Sequence, residues 1–413
     1  MRDRLHRLFN AFPRQFWLLF WGLLISTIGS SMIWPFLMIY VSERLSLPLT
    51  TVASLMTLNA SMGLLSSFFG GPITDRAGRK WVMAISLCVN GLVYLGLSGA
   101  DSLPAFAVLM AFSGAFSPLY RVGADAMMAD LIPAERRADA YSLLRTSNNL
   151  GVALGPAAGG IIATISYATA FYFAAGGMLI YGLLVTFLAV ETLPSRPAGE
   201  ANVGEVVKER FGGYGRALRD RQFISFVGSF TLTQVCAAMI WVLLAVYAKE
   251  NYAVPESRYG FIPMTNALMV VFFQYSVTQV TKRRQPLSVL AVGALFYAVA
   301  LGSVALGRGF WGFWLSMVIL TIGELMVSPT ATTLAANLAP ADMRGRYMSL
   351  YGLSWGVALG VGPVLGGLLN DQLGPTATWY GGGVIGLASG ILFLGLAQHY
   401  KRRQAYAPGS IKP

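Results

Sequence analysis

Gly71-Pro72-Ile73-Thr74-Asp75-Arg76-Ala77-Gly78-Arg79-Lys80 is a charged island between two apolar runs, 51–71 and 81–100. Each run has roughly the 20 residues that a helix needs to cross a bilayer. A chain that leaves the apolar phase so briefly must turn back. The island therefore reads as a tight loop between two antiparallel membrane helices. Its glycines suit that reading: Gly71 allows a close approach and Gly78 a sharp turn. Asp75 is expected to accept hydrogen bonds at a helix N-terminus, whose dipole favours a carboxylate. Arg79 offers a planar fork to another carboxylate.

The same alternation extends in both directions. Apolar runs fall near 16–40, 51–71, 81–100, 104–131, 140–165, 168–190, 222–247, 258–280, 286–306, 310–335, 345–369 and 376–397. Twelve spans are expected, all helical, because lipid offers the backbone no other partner. Composition agrees. Hydrophobic residues make up 55% of the 413, and charged residues 12%, about half the share in a soluble domain. The first run is too long for a signal-peptide core and leads into further spans, so it reads as a retained helix.

The net charge of +12 does not point to nucleic acid, because its distribution is that of a membrane protein. Lys and Arg crowd the termini and every second loop: Arg76, Arg79 and Lys80; Arg136 and Arg137; Lys282, Arg283 and Arg284; Arg344 and Arg346; Lys401, Arg402 and Arg403. The other loops hold only Arg44, Lys249, Arg258 and Arg308. The positive-inside rule then places both termini in the cytoplasm, with the bacterial inner membrane as the expected location. Cys88 and Cys236 lie in apolar runs and His6 and His399 near the ends, so no metal or His-based catalytic set is expected. No phosphate-binding P-loop is present, which excludes ATP as direct energy source. The chain is expected not to be an enzyme and to need no cofactor beyond a proton gradient.

The chain repeats. Pro133, Arg137, Ser142 and Leu143 recur as Pro340, Arg344, Ser349 and Leu350. Gly155-Pro156 and Gly159-Gly160 recur at the same offset as Gly362-Pro363 and Gly366-Gly367. The expected architecture is all-α and integral to the membrane: two pseudo-symmetric six-helix bundles, with a cavity near the midplane where the repeats meet. Residues 1–190 and 222–413 would form the bundles and 191–221 a linker, with a short surface helix near 203–210.

The island matches the signature Gly-x-Leu-x-Asp-Arg-x-Gly-Arg-Lys, with Ile73 in place of Leu. The fifth run carries Gly151-Val-Ala-Leu-Gly155-Pro156-Ala-Ala-Gly159-Gly160, a pattern associated with antiporters. On these residues the chain resembles the major facilitator superfamily, most closely its twelve-helix multidrug:proton antiporters. The resemblance implies proton-coupled efflux of amphipathic or cationic drugs by alternating access in a monomer. It also implies that Asp75, Arg76, Arg79 and Lys80 join Asp130 in a gating cluster at the cytoplasmic face. The chain departs from the family at Phe112, where an Arg is common. The glycines at 151, 155 and 159 share one helix face, which also fits plain close packing.

Charges inside spans are costly and usually face a cavity. Glu324 lies mid-span and is the first candidate for a proton or cation site. Ionised, it would hold a cation; protonated, it would release it. Arg121 and Asp125 sit one turn apart on one helix face and either pair with each other or serve the substrate. Arg145 lies near a span end. Trp34, Trp241 and Trp355, with Asn59, Asn149, Gln234 and Asn266, are candidates to line the cavity. The alternatives are a symporter or facilitator of a polar metabolite (a sugar or organic anion, with Arg121 as its partner) and a lipid transporter. The expected partners are a small-molecule substrate, protons and the bilayer.

Overall fold

The computed structural model describes residues 12–193, 214–340 and 343–406, so the linker helix expected at 203–210 lies outside the described residues. The described chain is helical: α1 (Arg14–Ile33), α2 (Leu37–Leu45), α3 (Leu49–Ala77), α4 (Arg79–Gly99), α5 (Leu103–Leu131), α6 (Arg137–Ala163), α7 (Tyr167–Leu188), α8 (Tyr214–Arg219), α9 (Arg221–Tyr252), α10 (Glu256–Tyr259), α11 (Phe261–Thr281), α12 (Pro286–Leu306), α13 (Gly309–Leu338), α14 (Arg344–Leu373) and α15 (Ala377–Tyr406).

Proline explains several boundaries. It lies in the first turn of α5 and α12, where its missing N–H costs nothing. Pro35 divides the first expected span into α1 and α2. With no N–H at 35, Phe36 N reaches back only to Ile33 O (2.9 Å), and Tyr40 N then restarts the ladder on Phe36 O (2.9 Å). Gly374 ends α14 with φ +98°, its N–H on Asn370 O (3.0 Å).

Among the described residues, eleven helical segments are long and apolar enough to cross a membrane. The expected span that falls outside this set is α6. It is 27 residues long, but its first half carries Arg137, Asp139, Arg145, Asn148 and Asn149. The sequence repeat is visible in the helices. Helices α6 and α14 begin at the matched residues Arg137 and Arg344 and carry internal prolines at the matched positions 156 and 363. At about 1.5 Å per residue, the 29-residue α3 is roughly 44 Å long. That exceeds the roughly 30 Å of hydrocarbon, so its ends stand in the interface.

The chain forms two compact units. One comprises 1–196 with 245–268, the other 197–244 with 269–413. In the first, α1 packs on α6 and α7, α4 on α5 and α7, α3 on α5, and α10 on α6. Its core gathers Phe16, Leu19, Met83, Leu87, Met127, Met128 and Tyr181. In the second, α12 packs on α13 and α15. Helix α9 is pinned to α15 by buried hydroxyls: Thr233 and Ser389 share a hydrogen bond (2.7 Å), and Ser389 donates to Ser229 O (2.7 Å).

Lipid tails are as apolar as leucine, so association of these helices rests on close packing and small residues. Gly114 on α5 is one such contact. A Cβ there would stand 2.2 Å from the carbonyl oxygen of Asn59 on α3. Gly114→Leu is therefore expected to cost about 1–3 kcal/mol. Gly176→Leu should be near neutral, because nothing lies within 4 Å of its Cβ position. Thermal unfolding of the two purified variants in detergent checks the contrast; equal midpoints would refute it.

Candidate functional site

The charged island is almost entirely helical. Helix α3 runs through Gly71–Ala77, leaving Gly78 (φ +89°) as the only residue between α3 and α4. Asp75 and Arg76 are therefore exposed on the last turn of α3. The N-terminus of α4 is served instead by Glu191, just beyond α7. Its Oε1 accepts from Arg79 N (3.0 Å) and its Oε2 from Lys80 N (3.1 Å). Oε1 also accepts from Thr192 N (2.9 Å) and Leu193 N (3.0 Å). This corrects the expectation for Asp75: continuation of α3 turns its side chain outward, and a carboxylate 112 residues away takes the cap. A Cβ at Gly78 would lie 2.4 Å from Glu191 Oε2, so the cap also explains the glycine.

The Arg79 guanidinium pairs with Asp130 at the end of α5 and donates to Thr192 O (3.4 Å). Arg137 donates to Ile132 O (3.0 Å) and Ala129 O (2.6 Å), satisfying carbonyls at the end of α5. One end of the unit is thus tied across α4, α5 and the exit of α7 by two carboxylates and two arginines.

The glycine face of α6 lies against α1. A Cβ at Gly151 would stand 2.7 Å from Thr27 Cβ, at Gly155 2.5 Å from Ser31 Cβ, and at Gly159 2.3 Å from Met32 O. Gly160 faces Glu256 O, 2.2 Å from its Cβ position, and Gly260 faces Pro156 O at 2.3 Å. The stripe brings α1 and α10 to backbone distance from α6.

That close packing frames a cavity of about 730 Å³ within the first unit. Arg121 and Asp125 of α5 line it together with Arg145, Asn148 and Asn149 of α6. Trp34 and Asn59 complete the predicted residues that it gathers. The sequence reading missed Asn90, Tyr94, Tyr120, Ser113 and Ser117, which also line it. Asn90 accepts from Ser117 (2.9 Å) and donates to Ser86 O (2.8 Å). An asparagine with serines one span later was the available signal, but no spacing within one helix joins residues on α4 and α5. Leu19, Leu23, Trp34, Leu87, Ala124, Leu144 and Met178 give the lining a large apolar share.

The remaining candidates lie elsewhere. Glu324 is half-buried on α13 of the second unit, close enough to Tyr297 to interact electrostatically. Gln234 and Trp241 are half-buried on α9, Asn266 is buried on α11, and Trp355 is 40% exposed on α14. None of these five lines the cavity.

A second charge cluster sits at the opposite end of the first unit, where Tyr40 of α2 donates to Ser98 O (2.9 Å) in the last turn of α4. Lys249 pairs there with Glu43 and Glu256 and donates to Tyr167 Oη (3.1 Å). Tyr167 donates to Glu256, and Ser42 to Glu250 (3.0 Å). Glu256 is buried, so Lys249 and Tyr167 supply what water would otherwise give it.

Known proteins bear on this arrangement. A family model described as Major Facilitator Superfamily matches residues 19–359 and 289–413. A Na(+), Li(+), K(+)/H(+) antiporter of Planococcus maritimus is 25% identical over 90% of this chain and 93% of its own. Multidrug resistance protein MdtH of Escherichia coli O1:K1 / APEC is 23% identical over 92% and 93%. The crystal structure of nucleoside transporter NupG superimposes with a TM-score of 0.80 over 92% of this chain and 99% of its own, at 10% identity. That last likeness is one of fold.

Two stability effects follow from these networks. Glu191→Gln should cost about 1–2 kcal/mol, because an amide cannot accept at both positions. Asp75→Asn should cost nearly nothing. Lys249→Met should cost about 2–3 kcal/mol by leaving the buried Glu256 unpaired, and Glu43→Gln, 46% exposed, under about 1 kcal/mol. Detergent melting curves rank the four; either pair in reverse order would contradict the assignment behind it.

Proposed function

The chain belongs to the Major Facilitator Superfamily, and from that premise we propose a proton-coupled antiporter that exports amphipathic small molecules by alternating access. It is a multi-span secondary transporter and not an enzyme. The observation that carries the finer reading is that Arg121 and Asp125, one turn apart, both line a cavity that also holds Arg145 and several amides. Ionisable groups inside spans are expensive, and facing a cavity gives them a use. Asp125 is the one carboxylate of that lining, which makes it the first proton acceptor. Glu324 remains the candidate of the second unit.

In this mechanism an ionised Asp125 holds a hydrogen-bonding or basic group of the substrate, and a protonated Asp125 lets it go. Arg121, one turn away, offers the ionised form a counter-charge. Proton and substrate then exclude each other, which is the requirement for exchange. The names of the antiporter and multidrug-resistance relatives support export, as does the glycine–proline motif of α6. Residues 1–190 and 222–413 would act as the alternating halves, with both termini in the cytoplasm of a bacterial inner membrane. Lipophilic cations remain within the proposed range. A second reading is symport of a polar organic anion with protons. The presence of both Arg121 and Arg145 in the cavity favours it.

Inverted membrane vesicles with an acidic lumen test both readings. Lipophilic cations and neutral amphiphiles are added, and lumenal proton release is followed. Release is expected with the intact protein and with Glu324→Gln, and loss with Asp125→Asn. Loss confined to Glu324→Gln would move the proton site to the second unit. No release with any compound would sink antiport, and proton movement in the same direction as an added organic anion would establish symport.

A further inference from the structure

The cavity of the first unit has an unbalanced charge. Its lining contains two guanidinium groups, Arg121 and Arg145, and one carboxylate, Asp125. Asp125 and Arg121 interact with each other across one turn of α5. Arg145 stands on a different helix, among Tyr141, Leu144, Asn148 and Asn149 of the same cavity wall. Among the described residues no carboxylate forms an ion pair with it. Asn148 is already engaged by Thr27, whose hydroxyl lies 3.4 Å from its Oδ1. An amide oxygen satisfies a guanidinium only in part, because its charge still lacks a counter-charge. A guanidinium presents donors in a planar fork that fits a carboxylate or phosphate bidentately, and such bonds are the strong ones.

We infer that Arg145 is the docking point for an acidic group on the substrate, so that the cavity takes amphiphiles carrying a carboxylate or similar anion on an apolar body. Leu19, Leu23, Leu87 and Trp34 offer the apolar body a wall. Asp125, on α5, remains available to a basic or hydrogen-bonding group. A substrate bearing both charges would then answer both sides of the cavity while still competing with the proton at Asp125. The inference rests on the reading that the substrate binds in this cavity. It does not depend on the sign of proton coupling, because Arg145 is separate from the Arg121–Asp125 pair.

The test uses three probes with one ring: 4-(aminomethyl)benzoate, its methyl ester, and 4-methylbenzoate. Equilibrium binding to the purified full-length protein in detergent is measured for each. 4-(Aminomethyl)benzoate is expected to bind about tenfold more tightly than its ester, the worth of one charge-assisted hydrogen-bonded pair, and more tightly than 4-methylbenzoate, which lacks the amine that Asp125 would hold. Arg145→Gln should erase that preference, and an unchanged thermal-unfolding midpoint in detergent reports a folded protein. Arg145→Lys should restore part of the preference. An ester that binds as well as 4-(aminomethyl)benzoate, a preference that survives Arg145→Gln, or no binding by any probe would overturn the inference. The vesicle assay with the same probes separates the two ideas. Proton release by the ester without any acid preference would keep antiport and remove the acid site. Acid binding that depends on Arg145 without proton movement would keep the site and remove antiport.

Discussion

A polar group in hydrocarbon has no water to bond, and this molecule is arranged around that constraint. The backbone answers it by becoming helical almost throughout. Side chains answer it in three ways. Hydroxyls return to their own helix, as Thr74 does to Gly70 O (2.7 Å) and Thr321 to Met317 O (2.7 Å). Charges gather at helix ends, where Glu191 and Arg137 serve exposed backbone groups. Others face a cavity, where Arg121, Asp125 and Arg145 form part of the lining. A single principle therefore governs both what holds the fold and where its chemistry can be.

The glycine stripe of α6 belongs to the same account. Between helices in lipid the hydrophobic effect contributes little, and backbone approach has to replace it. Gly151, Gly155 and Gly159 let α1 come within reach of α6, and the turns of α6 before Gly151 bring Arg145, Asn148 and Asn149 into the cavity lining. The motif associated with antiport is thus a packing face on the same helix as the proposed binding wall. Packing and transport are compatible readings here, because the helix makes its glycine contacts along its later turns and carries its cavity-lining polar groups along its earlier ones.

Polar content on α6 also explains why that helix falls outside the set with clear membrane character. A span that lines water need not be apolar on that face. Its amphipathic composition is the mark of a cavity wall, and hydropathy alone reads it as a weaker span.

The sequence by itself marked the apolar helical runs and their order, the repeat, the family and the identity of the costly charges. These are local or periodic properties: run length, charge alternation and fixed spacing each leave a trace along one dimension. It also marked Arg121, Asp125, Trp34, Asn59 and Asn149 as residues in need of an explanation. What it could not decide was which residues meet. Glu191 reached Arg79 and Lys80 across more than a hundred positions, and Lys249 found Glu43 and Glu256 on two other elements. Asn90 joined Ser117 from a neighbouring helix. Glu324 ranked above Asp125 in the sequence, and only the packing brought Asp125 into the cavity lining and left Glu324 out of it. Rotation of each helix about its axis sets those meetings. That rotation is fixed by glycine-to-backbone contacts between helices, to which no periodicity within a single helix is sensitive.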